Sequence, residues 1–284
     1  MSLFKGCATA IVTPFSKDGK DIDYLAMKKL IDFQIENKVP AIVFMGTTGE
    51  SATMTHKEKL DLAKFVIEYV GHRVPVILGS GTNNTESTIE LSREFEGLGA
   101  DGLLVVTPYY NKCTQEGARE HYRKLAQSVN IPIILYNVPS RTGFNLLPST
   151  VKELADEPNI VGIKEASGNI SQIAELFAMC PVGFDIYSGD DNLFYTFLSY
   201  GGSGVISVAS NVVPDLMNKI YDNYIDGRPR MACRLQLHLL PFVGTLFSEV
   251  NPIPIKQMFL YRNSITESVK KNKKIIELEF ERNR

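Results

Sequence analysis

Eight short apolar runs recur along the chain, at residues 8–13 (ATAIVT), 41–46 (AIVFMG), 74–79 (VPVILG), 103–107 (LLVVT), 131–137 (IPIILYN), 160–165 (IVGIKE), 184–189 (FDIYSG) and 204–209 (GVISVA). Near-continuous Val, Ile and Leu without polar alternation is what strands show when both faces of a parallel sheet are covered. The segments between them change to helical spacing. Over residues 21–38, Tyr24, Met27, Ile31 and Ile35 fall on one stripe, and further on Leu60, Ala63, Ile67 and Val70 do the same. Thr55 and Glu58 precede that second stripe at the spacing of a capping box. Strand then helix, repeated eight times without a Pro/Ser-rich linker, predicts a (β/α)₈ barrel over residues 1–212. The competing architecture is a doubly wound open sheet, but no G-x-G-x-x-G follows the first run. Residues 213–284 are then a C-terminal helical extension packed on the barrel.

Composition narrows the class without identifying it. The 284 residues carry 30 Lys and Arg against 32 Asp and Glu, a net charge of −2, with 44% hydrophobic and 22% charged residues. This is globular usage, and too balanced for a domain held to nucleic acid by phosphate neutralisation. No run approaches the length of a membrane helix, and the first residues lack the apolar core of a secretory signal. Cys7, Cys113, Cys180 and Cys233 are scattered and form no C-x-x-C pair, which points to reduced thiols in the cytoplasm.

In a (β/α)₈ enzyme the chemistry stands where strands end. The sixth run ends in Lys164, whose ammonium would be poorly solvated there. Desolvation favours a neutral amine able to attack a ketone, the alternative being a lysine that snorkels to water. The fifth ends in Tyr136, either a proton shuttle beside Lys164 or a core tyrosine. In the loop after it, Arg141 suits bidentate capture of a carboxylate or, alternatively, a bracing ion pair. The second runs into Gly46-Thr47-Thr48-Gly49-Glu50-Ser51, which is either an anion or carbonyl cradle or a turn whose glycines take positive φ. After the fourth run, Tyr109 and Tyr110 suggest packing or an interface. The seventh leads to Asp190 and Asp191, a pair able to hold Mg²⁺ but without a third acidic ligand at a neighbouring strand end. Gly201-Gly202-Ser203-Gly204 resembles a phosphate loop, yet it precedes the eighth strand and so falls on the wrong face.

Taken together, Gly46-Thr47-Thr48-Gly49-Glu50, Thr107-Pro108-Tyr109-Tyr110, Tyr136-Asn137-Val138-Pro139-x-Arg141-Thr142-Gly143, Gly162-Ile163-Lys164-Glu165-Ala166 and Ser188-Gly189-Asp190 resemble the dihydrodipicolinate synthase family. These are pyruvate-dependent class I aldolases, among which N-acetylneuraminate lyase also falls, and the likeness runs over residues 1–256. The resemblance implies a Schiff base between Lys164 and pyruvate, whose enamine attacks L-aspartate 4-semialdehyde to give 4-hydroxy-tetrahydrodipicolinate for diaminopimelate and lysine synthesis. It implies Tyr136 as proton donor and acceptor, relayed through Thr47 and a Tyr110 supplied by the neighbouring subunit of a homodimer or homotetramer. By the same likeness Thr48 and the backbone of Ile206 bind pyruvate, Gly189 lines the site, and Arg141 takes the carboxylate of the aldehyde. No metal or organic cofactor is implied. Arg141, with Phe144 and Leu146 offering few hydroxyl partners, favours the synthase over a lyase acting on a 2-keto acid or on N-acetylneuraminate. A silent barrel kept as a scaffold would be expected to have lost Lys164 or Tyr136.

Two departures stand out. Asn251-Pro252-Ile253-Pro254-Ile255-Lys256 follows the family, but the stretch after it lacks the usual Arg-x-Pro segment, and 262–284 reads as one charged, solvated helix. In lysine-inhibited relatives the effector crevice corresponds to Ser51, Ala52, His56, Lys59, Asn83, Ser87 and Tyr109. Here Lys59 stands for a His and Ser87 for a Glu. A like charge and a lost acceptor both oppose a cationic amino acid, so weak or absent feedback by lysine is expected.

Overall fold

The computed structural model describes residues 2–260. Eight parallel strands close into a barrel in chain order: β1 (Gly6–Ala10), β2 (Ile42–Phe44), β3 (Val76–Gly79), β4 (Gly102–Val106), β5 (Ile133–Asn137), β6 (Ile160–Glu165), β7 (Asp185–Ser188) and β8 (Gly204–Ser207). The outer helices are α1 (Tyr24–Glu36), α2 (His56–Val70), α3 (Thr85–Leu98), α4 (Gln115–Ala126), α5 (Pro139–Thr142), α6 (Pro148–Leu154), α7 (Ile170–Met179), α8 (Phe194–Ser199) and α9 (Pro214–Ile225). Two more, α10 (Pro229–Leu246) and α11 (Ile253–Leu260), follow. All eight apolar runs overlap a strand, six of them containing it whole, and the (β/α)₈ architecture is the expected one. Helix α9 follows β8 and packs on β1, so it is the eighth outer helix; the division expected after residue 212 separates it from the strand it follows. Residues 262–284, read from sequence as a charged helix, lie outside the described residues.

Because successive strand residues face opposite ways, two apolar shells form. Ala8, Ala10, Val43, Ile77, Leu104, Ile134, Tyr136, Tyr187 and Ile206 fill the barrel, while Cys7, Ile42, Phe44, Leu78, Val105, Leu135, Ile163 and Val205 pack outward under the helices. At the N-terminal end the interior is stoppered. Phe4 stacks on Tyr187 with ring centroids 4.3 Å apart, and the Tyr187 hydroxyl donates to the Phe4 carbonyl at 2.8 Å. The Gly201–Gly204 loop lies at this end, where the Ser203 carbonyl accepts from Gly6 N–H and the Ser203 hydroxyl donates to Asp185. It sits on the face away from the strand ends that carry chemistry.

Helix boundaries follow local chemistry. The Thr55 hydroxyl accepts from Glu58 N–H while the Glu58 carboxylate accepts from Thr55 N–H, completing the capping box of α2. The buried stripe of α1 is Met27, Leu30, Ile31 and Gln34, rotated from the expected one, and Tyr24 and Ile35 flank it half-buried. Gln34 lies in that stripe because the outward-facing Thr9 hydroxyl donates to its side-chain oxygen at 2.8 Å. In α2, Leu62 and Val66 take the centre, with Leu60 and Ile67 at its edges.

The seam that closes the barrel, β8 against β1, depends on an absent side chain. A Cβ on Gly204 would lie 1.9 Å from the Gly6 carbonyl oxygen. Gly204→Ala should therefore force the two strands apart and lower stability by roughly 1–3 kcal/mol or more. Gly97→Ala, exposed inside α3 with nothing within 4 Å of the added carbon, should be neutral or stabilising by up to about 1 kcal/mol. Urea unfolding of both variants checks the contrast; equal effects would mean that the seam does not need its glycine.

Candidate active site

The register of β5 and β6 pairs Tyr136 with Lys164 and Asn137 with Glu165. The first pair faces inward and the second outward, as period-2 alternation requires. Lys164 is 5% exposed, and its Nζ lies 4.3 Å from the centre of the Tyr136 ring, so amine and phenol are neighbours at the C-terminal end of the barrel. The outward pair is locked. Asn137 Nδ2 donates to a Glu165 carboxylate oxygen at 2.9 Å, Ser167 N–H donates to the other oxygen at 2.6 Å, and Asn137 Oδ1 accepts from Leu146 N–H. Burial pushes the Glu165 carboxyl up against the pull of these donors. The network fixes the two strand ends from behind. Neither Asn137 nor Glu165 is assigned this work from sequence alone, where the one signal is a polar residue directly after each inward candidate.

A cavity of about 410 Å³ opens over the ends of β2 to β5 and reaches Tyr136, whereas Lys164, Thr48, Gly189 and Ile206 are not among its lining residues. Thr47, Tyr136, Arg141 and Asn251 are among its lining residues, as are Ser51, Lys59 and Tyr109 of the suspected effector crevice. Arg141 is carried by α5, a single turn started by Pro139 and ended by Gly143 at φ +67°. Its Nη2 donates to the Asn251 carbonyl at 3.0 Å; no carboxylate braces it among the described residues. Thr48, 3% exposed, accepts from Asn251 Nδ2 at 2.9 Å. Phe144 and Leu146, expected beside the substrate, turn into the core instead, because Thr142 ties the loop by donating to the Phe144 carbonyl.

The glycines of the β2 loop are not there for positive φ. The left-handed residues are Met45 (φ 54°) and Glu50 (φ 57°). Gly49 is required by space, since a Cβ would approach Met45 N to 2.9 Å. The loop is pinned by Thr13, whose hydroxyl donates to the Gly49 carbonyl at 2.7 Å. Strain at Met45, two residues before Thr47, places a demanding backbone where a cradle would need it.

Tyr110 is 83% exposed with φ +70°, and it does not line this cavity. A single chain thus brings Thr47 and Tyr136 together but leaves Tyr110 outside. On the far side, Ile206 is an inward residue of β8, and Gly189 donates its N–H to the Glu165 carbonyl at 2.7 Å, so close that a Cβ would strike Ala166. The Asp190–Asp191 pair divides. Asp191 is buried and accepts from Val208 and Ala209 N–H at 3.0 and 2.9 Å, bracing β7 to β8. It is thereby turned from a shared metal site with Asp190, and among the described residues no group of three His, Cys, Asp or Glu is placed to hold a metal. The Cys7, Cys113, Cys180 and Cys233 thiols are free.

Burial, reinforced by the Asp191 charge, raises the Asp190 carboxyl to about 6 despite the attraction of Lys164. A carboxyl raised on folding binds its proton more tightly in the native state. Its contribution to stability is thus full below its unfolded value near 3.8 and is lost as pH rises through 6. At about 1.4 kcal/mol per pKa unit, the loss is on the order of 3 kcal/mol. Asp190→Asn should therefore gain thermal stability relative to the parent at pH 7.5 and show little gain near pH 4. Melting curves at the two pH values check this, and a pH-independent difference would rule it out.

The chain matches the dihydrodipicolinate synthetase family over residues 3–272. It is 52% identical over 257 residues to 4-hydroxy-tetrahydrodipicolinate synthase of Caldicellulosiruptor bescii, covering 90% of this chain and 86% of that protein. It is also 52% identical over 256 residues to 4-hydroxy-tetrahydrodipicolinate synthase 1 of Clostridium acetobutylicum, covering 90% and 87%. Among solved structures, dihydrodipicolinate synthase of Thermotoga maritima superposes with a TM-score of 0.91 at 38% identity, over 98% of this chain and all of that one. Barrel and sequence agree, and the chain belongs to the dihydrodipicolinate synthetase family.

Proposed function

We propose that this enzyme condenses pyruvate with L-aspartate 4-semialdehyde to give 4-hydroxy-tetrahydrodipicolinate, using Lys164 as the Schiff-base nucleophile. The observation that carries the assignment is the inward register pair Tyr136–Lys164, with the amine 4.3 Å from the phenol ring. Lys164 adds to the pyruvate ketone and water leaves, forming a protonated imine. Loss of a methyl proton gives the enamine, whose carbon bonds to the aldehyde carbon of the second substrate. The amine of that substrate then attacks the imine carbon, closing the ring and releasing Lys164. Tyr136 is suited to carry protons between these steps because it lines the cavity while touching the amine. Thr47 shares the cavity, while Thr48, Gly189 and the backbone of Ile206 are assigned to pyruvate. Arg141, reaching into the cavity from α5, is assigned to the carboxylate of the aldehyde substrate.

Tyr110 fits a relay only if it serves a neighbouring copy. Its 83% exposure, on a left-handed backbone outside its own cavity, supports a homodimer or homotetramer in which each subunit completes another's site. The free thiols suit a reducing compartment, and we read the enzyme as cytoplasmic. Among the described residues no helix is long and apolar enough to cross a membrane. Lys59 is half-buried at the crevice and its ammonium is held below its ordinary range by burial, which disfavours a second cation there and supports weak feedback by lysine.

Borohydride reduction with pyruvate should add one reduced adduct to the protein at Lys164, seen by mass spectrometry. Lys164→Ala should give none, and trapping at parental stoichiometry in that variant would refute the assignment. Tyr136→Phe should retain the imine-forming amine yet slow turnover by about 10²–10⁴-fold; an unchanged kcat would remove Tyr136 from proton transfer. For Arg141→Ala, the KM for aspartate semialdehyde should rise more than that for pyruvate, by the roughly 1.5–3 kcal/mol of a charged hydrogen bond. Equal effects on both substrates would make Arg141 structural.

A further inference from the structure

Asn251 comes from the segment between α10 and α11, far in sequence from every strand-end residue, yet it is 6% exposed and lines the cavity. It touches two anion-binding candidates at once. Its side-chain Nδ2 donates to Thr48 Oγ1 at 2.9 Å, and its main-chain carbonyl accepts from Arg141 Nη2 at 3.0 Å. Its segment is fastened beside them by the ion pair between Lys256 and Glu50, with Lys256 Nζ also 4.5 Å over the Phe15 ring.

The direction of the first bond matters. A threonine hydroxyl has one proton to give and lone pairs to receive. With the amide N–H already on a lone pair, the Thr48 proton has no protein acceptor among the described residues and remains available to an anionic oxygen. Asn251 Oδ1, turned away from Thr48, is buried without a partner among the described residues. Reversing the amide would give that oxygen the Thr48 proton and take it from a ligand.

We infer that Asn251 is a positioning residue: its side-chain amide sets the Thr48 hydroxyl to donate to the pyruvate carboxylate, while its backbone carbonyl independently aims Arg141 at the second substrate. The inference rests on the assignment of Thr48 to pyruvate above. It makes the two substrates separable, since a side-chain change at residue 251 leaves the carbonyl that holds Arg141 in place.

The test is the pyruvate concentration giving half-maximal borohydride trapping on Lys164, read beside the steady-state KM for aspartate semialdehyde and the melting temperature. Asn251→Asp keeps the shape but can only accept, so the Thr48 proton must turn to it. Half-saturating pyruvate should rise about tenfold or more, the size of one lost hydrogen bond to a charged group, with the KM for the aldehyde within about twofold of the parent. Asn251→Leu, which removes the donor without adding a charge, should raise half-saturating pyruvate by a smaller factor and guards against poor folding of the first variant. In a Thr48→Val background the Asn251→Asp effect should largely vanish, because no hydroxyl is left to turn. An unchanged pyruvate requirement, a joint rise for both substrates with a fallen melting temperature, or a full effect surviving in Thr48→Val would overturn the inference. Absence of any adduct on the parent enzyme would instead defeat the Schiff-base reading on which it stands.

Discussion

Closing eight parallel strands on themselves leaves every strand residue two directions only, into the barrel or out toward the helices. That restriction decides which side chains of neighbouring strands can meet. Lys164 and Tyr136 face one another inside because their strands are in register, and the same register sends Asn137 and Glu165 outward into a locked polar network. Slipping β6 by one position would turn its side chains over and set the Glu165 carboxylate opposite Tyr136, where the amine stands. The outward hydrogen bonds therefore hold the inward pair in register without touching it.

Much of this was legible because it is local and periodic. Apolar runs named the strands, Thr55 and Glu58 named a helix start, and the residue ending each run named the candidates. What escaped depends on partners distant in the chain. Gln34 lies in the buried stripe of α1 because Thr9 reaches it across 25 positions, and no stripe of apolar residues announces such a contact. The β2 loop misled for a different reason: its glycines suggested positive φ, whereas the crowded one is excluded by space and the left-handed residues are Met45 and Glu50. Periodicity reports burial, and it is silent about close approach.

The site residues divide along the same line. Lys164 and Tyr136 sit at strand ends, where the architecture itself points. Asn251 could be read only as part of a matching motif, because its work depends on contacts with Thr48 and Arg141 more than 100 positions away. Tyr110 shows the limit of a single chain: its position was readable, but its exposure gains meaning only if another copy receives it.

The stacked Phe4 and Tyr187 rings at the barrel floor also act as a clasp between distant parts of the chain. Phe4 precedes the first strand and Tyr187 belongs to the seventh, so one ring contact and one hydrogen bond join residues 183 positions apart. The plug that fills the floor therefore also moors the first residues to the barrel, and loosening that segment would uncover the interior from below.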